Sequence, residues 1–272
     1  MKRRSLLFVP GNNKRMIIKS LSEEIHADCV ILDLEDAVPP YEKELAREII
    51  SGVLNGVLTR PKNKQIYVRI NQITSEYFDN DIKFLKKQDK VDCVVLPKAE
   101  GDISVIQKET GMTVIPIIES ALGIIRIQEV ARSDGVVALT YGTADFALSM
   151  GGSFKYYDKD PFLPMSVVTI AKAYGLDPID KVCFEISNLS SLRNEATNAK
   201  AMGFSGKLVI HPTQVDPVNE IFTPSKKEIE WSEKVVKVYE QMMNRGRGAI
   251  NLDGTLIDMV HYKLAKKILD SI

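Results

Sequence analysis

Two carboxylates that follow apolar runs are the residues of this chain best suited to chemistry. Glu119 follows the run 114–118, and Asp145 lies just beyond a second run that closes with Tyr141-Gly142. If the two runs are neighbouring parallel strands, both side chains emerge at the same edge of a sheet. Mg²⁺ prefers a few oxygen ligands and leaves its other positions to water and substrate. The pattern therefore predicts a divalent-cation site, and the lack of a converging histidine pair argues against Zn²⁺.

Charged residues also follow other apolar runs, among them Glu35, Asp36 and Arg69. A charge at the end of a Val/Ile-rich run is costly to bury unless it is paired or bound to a metal. Arg69 is the one guanidinium at such a position, and its planar fork suits a carboxylate or a developing oxyanion. The alternative for Arg69 is a salt bridge to Glu35 or Asp36. A purely structural ion network explains any one of these residues better than it explains the whole set.

Three further features lie at the ends of apolar runs. Gly142 and the backbone amides around Thr143 and Ala144 could hold a substrate carboxylate in an anion nest. Lys98 follows a proline, and we favour a pairing or phosphate role for it over a Schiff base. His211 precedes a proline, and we interpret it as a hydrogen-bonded structural residue rather than a base.

The elements that must position these side chains are eight short apolar runs with helical segments between them. The runs are 5–9, 29–36, 65–71, 92–98, 113–119, 135–142, 181–187 and 207–212. Regular alternation of buried-type strands and helices predicts the α/β class and a (β/α)8 TIM barrel over residues 1–222. A doubly wound open sheet is the alternative, but no G-x-G-x-x-G follows the first run.

Residues 223–272 exceed what a barrel needs. Helical patterns cover about 226–243 and 258–270, so we predict a C-terminal helical extension. An extension of this kind often packs on another subunit or completes that subunit's site. The tail therefore predicts a homo-oligomer.

Composition narrows the class of protein. The 272 residues are 44% hydrophobic, which is enough for a sizeable core. Acidic and basic residues number 36 each, which gives no electrostatic case for nucleic acid or an anionic membrane surface. We expect no membrane span and no signal peptide, because every apolar run is too short. The 3 cysteines match no metal motif and are interpreted as buried, reduced thiols of a cytoplasmic protein.

Nine motifs in order resemble one family across nearly the whole chain. They are Arg4-Ser-Leu-Leu-Phe-Val-Pro-Gly11, Leu32-Asp-Leu-Glu-Asp-Ala-Val38, Lys43 with Ala46-Arg47, Val68-Arg-Ile-Asn71, Leu96-Pro-Lys98, Ile118-Glu119, Tyr141-Gly-x-x-Asp-Phe146, Gly203-Phe-Ser-Gly-Lys-Leu-Val-Ile-His-Pro-x-Gln214 and Asp253-Gly-x-x-Ile-Asp258. The chain resembles the citrate lyase beta-subunit-like branch of the HpcH/HpaI aldolase family, which includes malyl-CoA and citramalyl-CoA lyases.

This resemblance implies a TIM barrel that uses Mg²⁺ to cleave a citryl-, malyl- or citramalyl-type thioester. The products would be an acyl thioester, usually acetyl, and a 2-oxo acid such as oxaloacetate, glyoxylate or pyruvate. By the same resemblance Glu119 and Asp145 match the metal ligands, and Arg69 matches the arginine that contacts the oxo acid and the oxyanion. Glu119 would also lie against the substrate.

The resemblance assigns roles to four more residues. Glu35 and Asp36 match an acidic pair that supports the metal-bound waters, and Arg4 joins the candidate substrate-binding residues. Asp258 matches a tail aspartate that reaches a neighbouring subunit's site as an acid/base. An oligomer, a trimer or its dimer, is then expected. One departure is Pro164-Met165-Ser166 where the family commonly has Ala-Arg-Ser, which leaves the metal site intact but bears on a subunit contact or the grip on the thioester carrier.

Several functions stay open at this point. The thioester carrier could be CoA, or an acyl-carrier protein in a citrate lyase complex with alpha and gamma subunits. The same site could act as a malyl-CoA-type thioesterase, with water in place of the enolate. A class II aldolase acting on a free acid and a non-catalytic assembly subunit are the remaining alternatives.

Overall fold

A computed structural model of the chain describes residues 2–56, 64–243 and 248–272. The chain divides into two compact units, Met1–Phe222 and Thr223–Ile272. No helix among the described residues is both long and apolar enough to cross a membrane. The two units are described in turn.

The first unit is built around a closed barrel of eight parallel strands, as far as the described residues go. The strands are β1 (Ser5–Pro10), β2 (Cys29–Asp33), β3 (Gln65–Arg69), β4 (Cys93–Leu96), β5 (Thr113–Ile118), β6 (Ala138–Tyr141), β7 (Asp177–Asp180) and β8 (Gly206–Val209). Each strand pairs with the next, and β8 pairs with β1. The predicted (β/α)8 fold is confirmed, and all the strands end at the same mouth.

Helices cover the outside of the barrel. They are α1 (Lys14–Ser20), α2 (Lys43–Gly56), α3 (Phe78–Leu85), α4 (Ser104–Thr110), α5 (Ala121–Ile125), α6 (Ile127–Arg132), α7 (Thr143–Ser149), α8 (Phe154–Tyr157), α9 (Phe162–Ala173), α10 (Leu189–Met202) and α11 (Val215–Phe222). Short 3-10 turns at Pro40–Glu42 and Pro212–Gln214 precede α2 and α11. In α2 the buried residues Ala46, Ile50 and Val53 recur at helical spacing and place one face on the barrel wall.

The core has two layers because successive residues of a strand face opposite sides of the barrel wall. Ile31, Tyr67 and Ile117 belong to the cluster inside the barrel, and all are buried. Leu32 and Val68, the next residues along, pack outward in the larger cluster with the helices. Each such side chain contributes roughly 1.5–3 kcal/mol on burial. This alternation fixes which residues at the strand ends point into the mouth.

The predicted seventh strand is wrong. The strand is Asp177–Asp180, whereas 181–187 is irregular and most of its side chains are exposed. Val182 packs against the barrel interior and Cys183 is buried. The apolar residues of this loop therefore give a sequence pattern like that of a buried strand. The real strand contains a proline and two aspartates, a composition depleted in strands. Glu185 and Ser187 are therefore exposed loop residues and not strand ends.

The C-terminal unit contains two helices and a hairpin within its described residues. These elements are α12 (Lys226–Met243), β9 (Ile250–Leu252), β10 (Thr255–Ile257) and α13 (Met259–Leu269). Asp253 and Gly254 form the turn of the hairpin with φ of 50° and 87°, the backbone that an Asp-Gly pair adopts readily. Tyr239 stacks on Tyr262 at 4.8 Å between ring centroids. The two helices were predicted, and the hairpin was not.

Candidate active site

The ends of five neighbouring strands bring charged side chains together at the barrel mouth. Asp33 and Arg69 close β2 and β3, Lys98 and Glu119 follow β4 and β5, and Asp145 lies in the first turn of α7 after β6. A cavity of about 410 Å³ opens there, lined by Asp33, Arg69, Glu119 and Asp145 among others. These residues are far apart in the sequence, and parallel strand order makes them neighbours.

Arg69 is held by two acids rather than by one. Its Nε and Nη2 donate to the two carboxylate oxygens of Asp33 at 2.7 and 2.6 Å. Its Nη1 lies 2.8 Å from Glu35 Oε2, and its guanidinium stands over the Phe8 ring at 4.7 Å. Burial alone would lower the pKa of Arg69, but Asp33 and Glu35 outweigh it and raise the pKa. The guanidinium is therefore charged and fixed in direction, pointing into the cavity.

Glu35 joins Arg69 to Lys98. Lys98 Nζ donates to Glu35 Oε1 and lies 3.8 Å from Asp36 and 3.9 Å from Asp145. Glu35 Oε2 is buried and receives no well-directed hydrogen bond, despite the nearby guanidinium. Burial is the main cause that raises the pKa of Glu35, with the two cations opposing it. One carboxylate oxygen is thus left for a further partner at the mouth.

Glu119 is the most strongly perturbed acid of the site. It is 6% exposed and accepts one hydrogen bond, from the Lys98 backbone N–H at 2.8 Å. Lys98 has a φ of 49°, an uncommon conformation for a non-glycine residue and one often found at functional sites. Burial, then Glu35 and Asp145, raise the pKa of Glu119 to about 8. The raised pKa reflects burial first, and then negative charge from the two neighbouring carboxylates.

The donor set fits a magnesium ion. At the mouth five carboxyl groups stand near two cations, Arg69 and Lys98; the acids are Asp33, Glu35, Asp36, Glu119 and Asp145. Within the described ranges no cluster of three or more His, Cys, Asp or Glu residues has the geometry of a closed metal site. Two carboxylates facing an open cavity match Mg²⁺, which keeps several waters and binds through one or two acids. A closed zinc site would need more protein ligands.

The loop after β6 forms one wall of the cavity. Gly142, Thr143 and Ala144 all line it, as the sequence predicted for a substrate-binding loop. A Cβ on Gly142 would come within 2.5 Å of Glu119 Oε2, so the backbone here lies directly against that carboxylate. Thr143 is buried and donates its hydroxyl to Asp158 at 3.0 Å. Only a glycine allows the loop and the acid to approach this closely.

One predicted site residue of the barrel unit, Arg4, lies outside this group. Arg4 immediately precedes β1, at the opposite end of the strand from the mouth, and donates to both carboxylate oxygens of Asp28 at 2.8 and 2.7 Å. The structure therefore does not bring Arg4 to the cavity, because the pair with Asp28 holds it at the start of the strand. Asp36 reaches the mouth, but its side chain is 64% exposed.

Asp258 lies in the C-terminal unit as the N-cap of α13. Its carboxylate accepts from the backbone N–H groups of Val260 and His261 at 2.9 and 3.2 Å. His261 Nδ1 is 2.7 Å from the same oxygen, and it lies 3.4 Å from the Asp258 backbone N–H, whose hydrogen bond to the ring completes a capping box. The hydrogen bond from His261 is the first cause that lowers the pKa of Asp258. The side chain is solvent-facing and ionised at neutral pH.

Sequence reasoning missed Asp33 as the partner of Arg69. A signal was present, since Asp33 and Ile31 share a face of β2 by period two, and the register pairs Asp33 with Arg69. Lys98 was assigned a pairing role without a named partner, and the structure supplies Glu35. His211 accepts from the Thr213 N–H at 3.3 Å, consistent with its predicted structural role.

Comparisons with known proteins agree on one family. The family model described as HpcH/HpaI aldolase/citrate lyase matches residues 4–212. The citramalyl-CoA lyase of Mus musculus mitochondria is 32% identical, over 98% of this chain and 85% of that protein. The citrate lyase subunit beta of Leuconostoc mesenteroides is 30% identical, over 98% of this chain and 92% of that protein.

A solved structure extends the likeness to three dimensions. It is the CitE protein of Mycobacterium tuberculosis in complex with magnesium, acetoacetate and coenzyme A. The TM-score is 0.81 at 26% identity, and the match covers 99% of this chain and 97% of that one. The barrel and the C-terminal segment both fall within the matched length.

Proposed function

Because the chain belongs to the HpcH/HpaI aldolase/citrate lyase family and is a lyase, we propose that it is a Mg²⁺-dependent carbon–carbon lyase. It cleaves a 3-hydroxyacyl thioester of coenzyme A into acetyl-CoA and a 2-oxo acid. The observation that carries this proposal is the excess of acid around Glu119 in the cavity that the fixed guanidinium of Arg69 also lines. A cation site and an oxyanion-stabilising group in one cavity suit retro-aldol chemistry on a 2-oxo acid.

Glu119 and Asp145 are the residues we propose to hold Mg²⁺. Bound there, the ion would supply Lewis-acid polarisation of the hydroxyl or keto oxygen of the substrate. Lys98 orients Glu119 through its backbone N–H and balances Glu35 through its side chain. Glu35 Oε2, which lacks a directed hydrogen bond, is the atom we propose to accept from a water at the mouth.

Arg69 stabilises charge on the substrate oxygen. Two of its five N–H groups are committed to Asp33, and the hydrogens on Nη1 are not directed at Glu35. N–H groups therefore remain to donate to an oxyanion as the carbon–carbon bond breaks. Since Asp33 fixes the fork before substrate arrives, little reorganisation is needed in the transition state.

We propose Asp258 of a second copy of the chain as the acid/base. In condensation its carboxylate takes a proton from the methyl carbon of acetyl-CoA, and the new alkoxide takes a proton from an acid at the mouth. In cleavage a base at the mouth takes the hydroxyl proton, the carbon–carbon bond breaks, and the Asp258 carboxyl gives its proton to the enolate carbon. The hydrogen bond from His261 lowers the pKa of this carboxyl, so it is ionised at neutral pH and ready to act as the base in condensation. An oligomer, a trimer or its dimer, is part of this proposal because the aspartate is supplied in trans.

The cavity wall favours a 2-oxo acid without a second carboxylate. Phe8, Ile117, Val182, Leu208 and Ile210 form its apolar side. Among the described lining residues the cation is Arg69, whose remaining N–H groups are assigned to the oxyanion, so a second carboxylate on the substrate would be desolvated without a partner. We therefore place pyruvate or glyoxylate ahead of oxaloacetate, and citramalyl- or malyl-CoA ahead of citryl-CoA.

The test is a panel of citryl-, malyl- and citramalyl-CoA, each with and without Mg²⁺. We expect turnover that requires Mg²⁺, yields acetyl-CoA, and is fastest with citramalyl- or malyl-CoA. Release of free CoA and malate without acetyl-CoA would instead support a malyl-CoA-type thioesterase. Turnover of the free hydroxy acid alone would support a class II aldolase. Activity only with an acyl-carrier protein and citrate lyase alpha and gamma subunits would support a role as the beta subunit of a citrate lyase complex.

The role of Asp258 has its own readout. Asp258→Asn should slow exchange of the acetyl-CoA methyl protons with solvent by about 10²-fold or more, the range for a general acid/base. Binding of pyruvate with Mg²⁺ should persist in this variant. Unchanged proton exchange would remove Asp258 from the mechanism.

A further inference from the structure

The loop that carries Gly142 is anchored from outside the barrel at both of its flanks. On one side, Tyr141 donates its hydroxyl to Asp180 Oδ1 at 2.6 Å. Lys207 Nζ donates to the other oxygen of Asp180, also at 2.6 Å. All three residues are buried, with Lys207 fully enclosed. The first anchor thus joins the end of β6 to β7 and β8.

On the other side the anchor runs through a different aspartate. Thr143 Oγ1 donates to Asp158, and Lys181 Nζ lies 2.7 Å from the same carboxylate oxygen. Lys181 also lies 3.6 Å from Glu195 Oε2, and Lys207 donates to that oxygen at 3.1 Å. The two anchors therefore meet at Glu195 on α10. Together they form a closed loop-anchoring network, namely Tyr141, Asp180, Lys207, Glu195, Lys181, Asp158 and Thr143.

This network is an unusual way to fill the layer between wall and helices. Much of that layer is apolar, as at Leu139 and Val167. Buried ion pairs stabilise a fold no better than well-packed apolar residues of similar volume, because desolvation offsets the attraction. Such pairs instead fix the positions and directions of the groups that they join. The network therefore fixes the position of the backbone on each side of Gly142, and we interpret this as its role.

Gly142 transmits the position of this loop to the site. Its backbone lies so close to Glu119 Oε2 that an added Cβ would come within 2.5 Å of it. Asp145 follows in the same short segment and lines the same cavity. Any outward movement of Thr143 changes the space around Glu119 and the direction of Asp145 together. Both of the proposed magnesium ligands thus depend on one backbone segment.

We propose that the Asp158–Lys181 pair is a positioning device that sets the spacing of Glu119 and Asp145 through Thr143. Neither Asp158 nor Lys181 touches the substrate. Asp158 follows α8, and Lys181 follows β7. The pair therefore links the segment after α7 to the barrel, and the conformation of that segment should affect ion binding. This inference rests on the proposed function only for the identity of the ion and substrate.

The test compares variants of this network with an exposed ion pair elsewhere in the barrel unit. Lys181→Met removes the charge with little change in volume, and Thr143→Val removes only the hydroxyl that reaches Asp158. Lys181→Arg restores a cation. Arg193→Gln is the control, because Arg193 pairs with Glu220 at 2.8 Å, away from the β6 loop. Binding of Mn²⁺, followed by the electron paramagnetic resonance of the free ion, is measured alongside turnover and Tm.

Lys181→Met and Thr143→Val should each weaken Mn²⁺ binding and lower kcat by about 10- to 100-fold, the range for partners that orient metal ligands. Lys181→Arg should recover most of both, and Arg193→Gln should change neither. If Lys181→Met lowers Tm while Mn²⁺ affinity and kcat match those of Arg193→Gln, the network is structural and the inference is wrong. If Lys181→Met does not fold, Thr143→Val decides alone, and unchanged Mn²⁺ binding in it overturns the inference.

The two proposals fail separately. A wild-type protein that binds Mn²⁺ but turns over no thioester would refute the proposed lyase. The effect of Thr143→Val on Mn²⁺ binding would still test the proposed positioning role of Asp158 and Lys181.

Discussion

Two regions of the barrel unit bury a carboxylate near an arginine, and they treat it differently. Asp81 is fully buried and accepts from Arg47 Nη1 at 2.7 Å, from the Asn71 N–H at 2.8 Å and from Asn71 Nδ2 at 2.7 Å. Glu119 is almost as buried, but it accepts one backbone N–H, from Lys98. The protein supplies three hydrogen bonds to Asp81, but only one to Glu119.

Charge balance, rather than burial, separates a structural pair from a candidate site. Burial raises the pKa of both acids, but Asn71 and Arg47 oppose the rise at Asp81. At Glu119 the neighbouring carboxylates Glu35 and Asp145 add to it and bring the pKa to about 8. A buried acid beside other acids is stable only when it holds a proton or a cation. A divalent ion at this point removes the conflict.

The largest contrast should come from truncating each acid in turn. Glu119→Ala removes a proposed ion ligand and should lower Mg²⁺-dependent turnover by about 10³-fold, the upper range for loss of one electrostatic group in an active site. Steady-state rates across a Mg²⁺ titration measure this. Stability should be retained, because the substitution also removes the like-charge repulsion at the mouth. Full activity in this variant would exclude Glu119 from the ion site.

The corresponding change at the structural pair should act on stability alone. Asp81→Ala removes the buried partner of Arg47 and leaves it only the exposed Glu44, and removal of one member of a buried pair costs about 3–5 kcal/mol. Urea denaturation should show this loss of unfolding free energy, while kcat of the folded fraction stays within about threefold of the wild type. A large loss of kcat at full folding would mean that the two regions are not independent.

A smaller contrast is expected between the two arginines. Arg69→Lys cannot keep both bonds to Asp33 and a donor toward the substrate, so kcat should fall by about 10²-fold. Arg47→Lys makes the same change at Asp81 and should lower Tm without lowering kcat. Parallel measurement of kcat and Tm on both variants separates the roles. Equal losses of kcat would show that Arg69 acts only by holding the fold.

Much of this contrast was predictable from strand periodicity. Seven of the eight apolar runs overlap a strand, and period two places Asp33, Arg69 and Glu119 on the inner face at the mouth. The pairing of Asp33 with Arg69 follows from register once neighbouring strands are known. Glu119 and Asp145 were therefore placed together correctly at the mouth from sequence pattern, because parallel strands leave little choice.

The loop-anchoring network was not predictable in the same way. The predicted seventh strand covered 181–187, which would have turned Lys181 into the first residue of a strand rather than a residue beyond its end. Its partner Asp158 follows a four-residue helix, where no periodic pattern exists to fix a side-chain direction. Contacts between irregular segments depend on tertiary packing, and local sequence carries little information about them.

The pH dependence of ion binding should be intermediate in size. In the absence of metal, Glu119 has a pKa of about 8 in the folded chain against 4.5 as its ordinary value. Between these two pH values the folded chain holds a proton that the unfolded chain has released, so metal-free stability should fall as pH rises through this window. Mg²⁺ must displace that proton, and its affinity should rise about tenfold per pH unit up to pH 8.

Calorimetry in buffers of different ionisation enthalpy measures the proton released on Mg²⁺ binding. The Mg²⁺-induced rise in Tm should be a few degrees larger at pH 8 than at pH 6, because the ion binds only the folded chain. Glu119→Gln should abolish the pH dependence. Binding of Mg²⁺ that is equally tight at pH 6 and pH 8 would contradict a protonated Glu119 in the metal-free site.

The smallest effect is expected at Asp36, which the sequence pairs with Glu35 as an acidic pair. The structure separates them, since the Asp36 side chain is 64% exposed and 3.8 Å from Lys98, whereas the Glu35 side chain is 7% exposed and contacts both Lys98 and Arg69. Exposed ion pairs contribute only about 0–1 kcal/mol, so Asp36→Asn should change kcat by less than about fivefold. Glu35→Gln should lower kcat by more than this, because it leaves two cations near a neutral group. The effect of Asp36→Asn on kcat should be smaller at high salt than at low salt, because ions screen the exposed pair. A loss of kcat as large as that of Glu35→Gln would show that Asp36 acts together with Glu35 in the site.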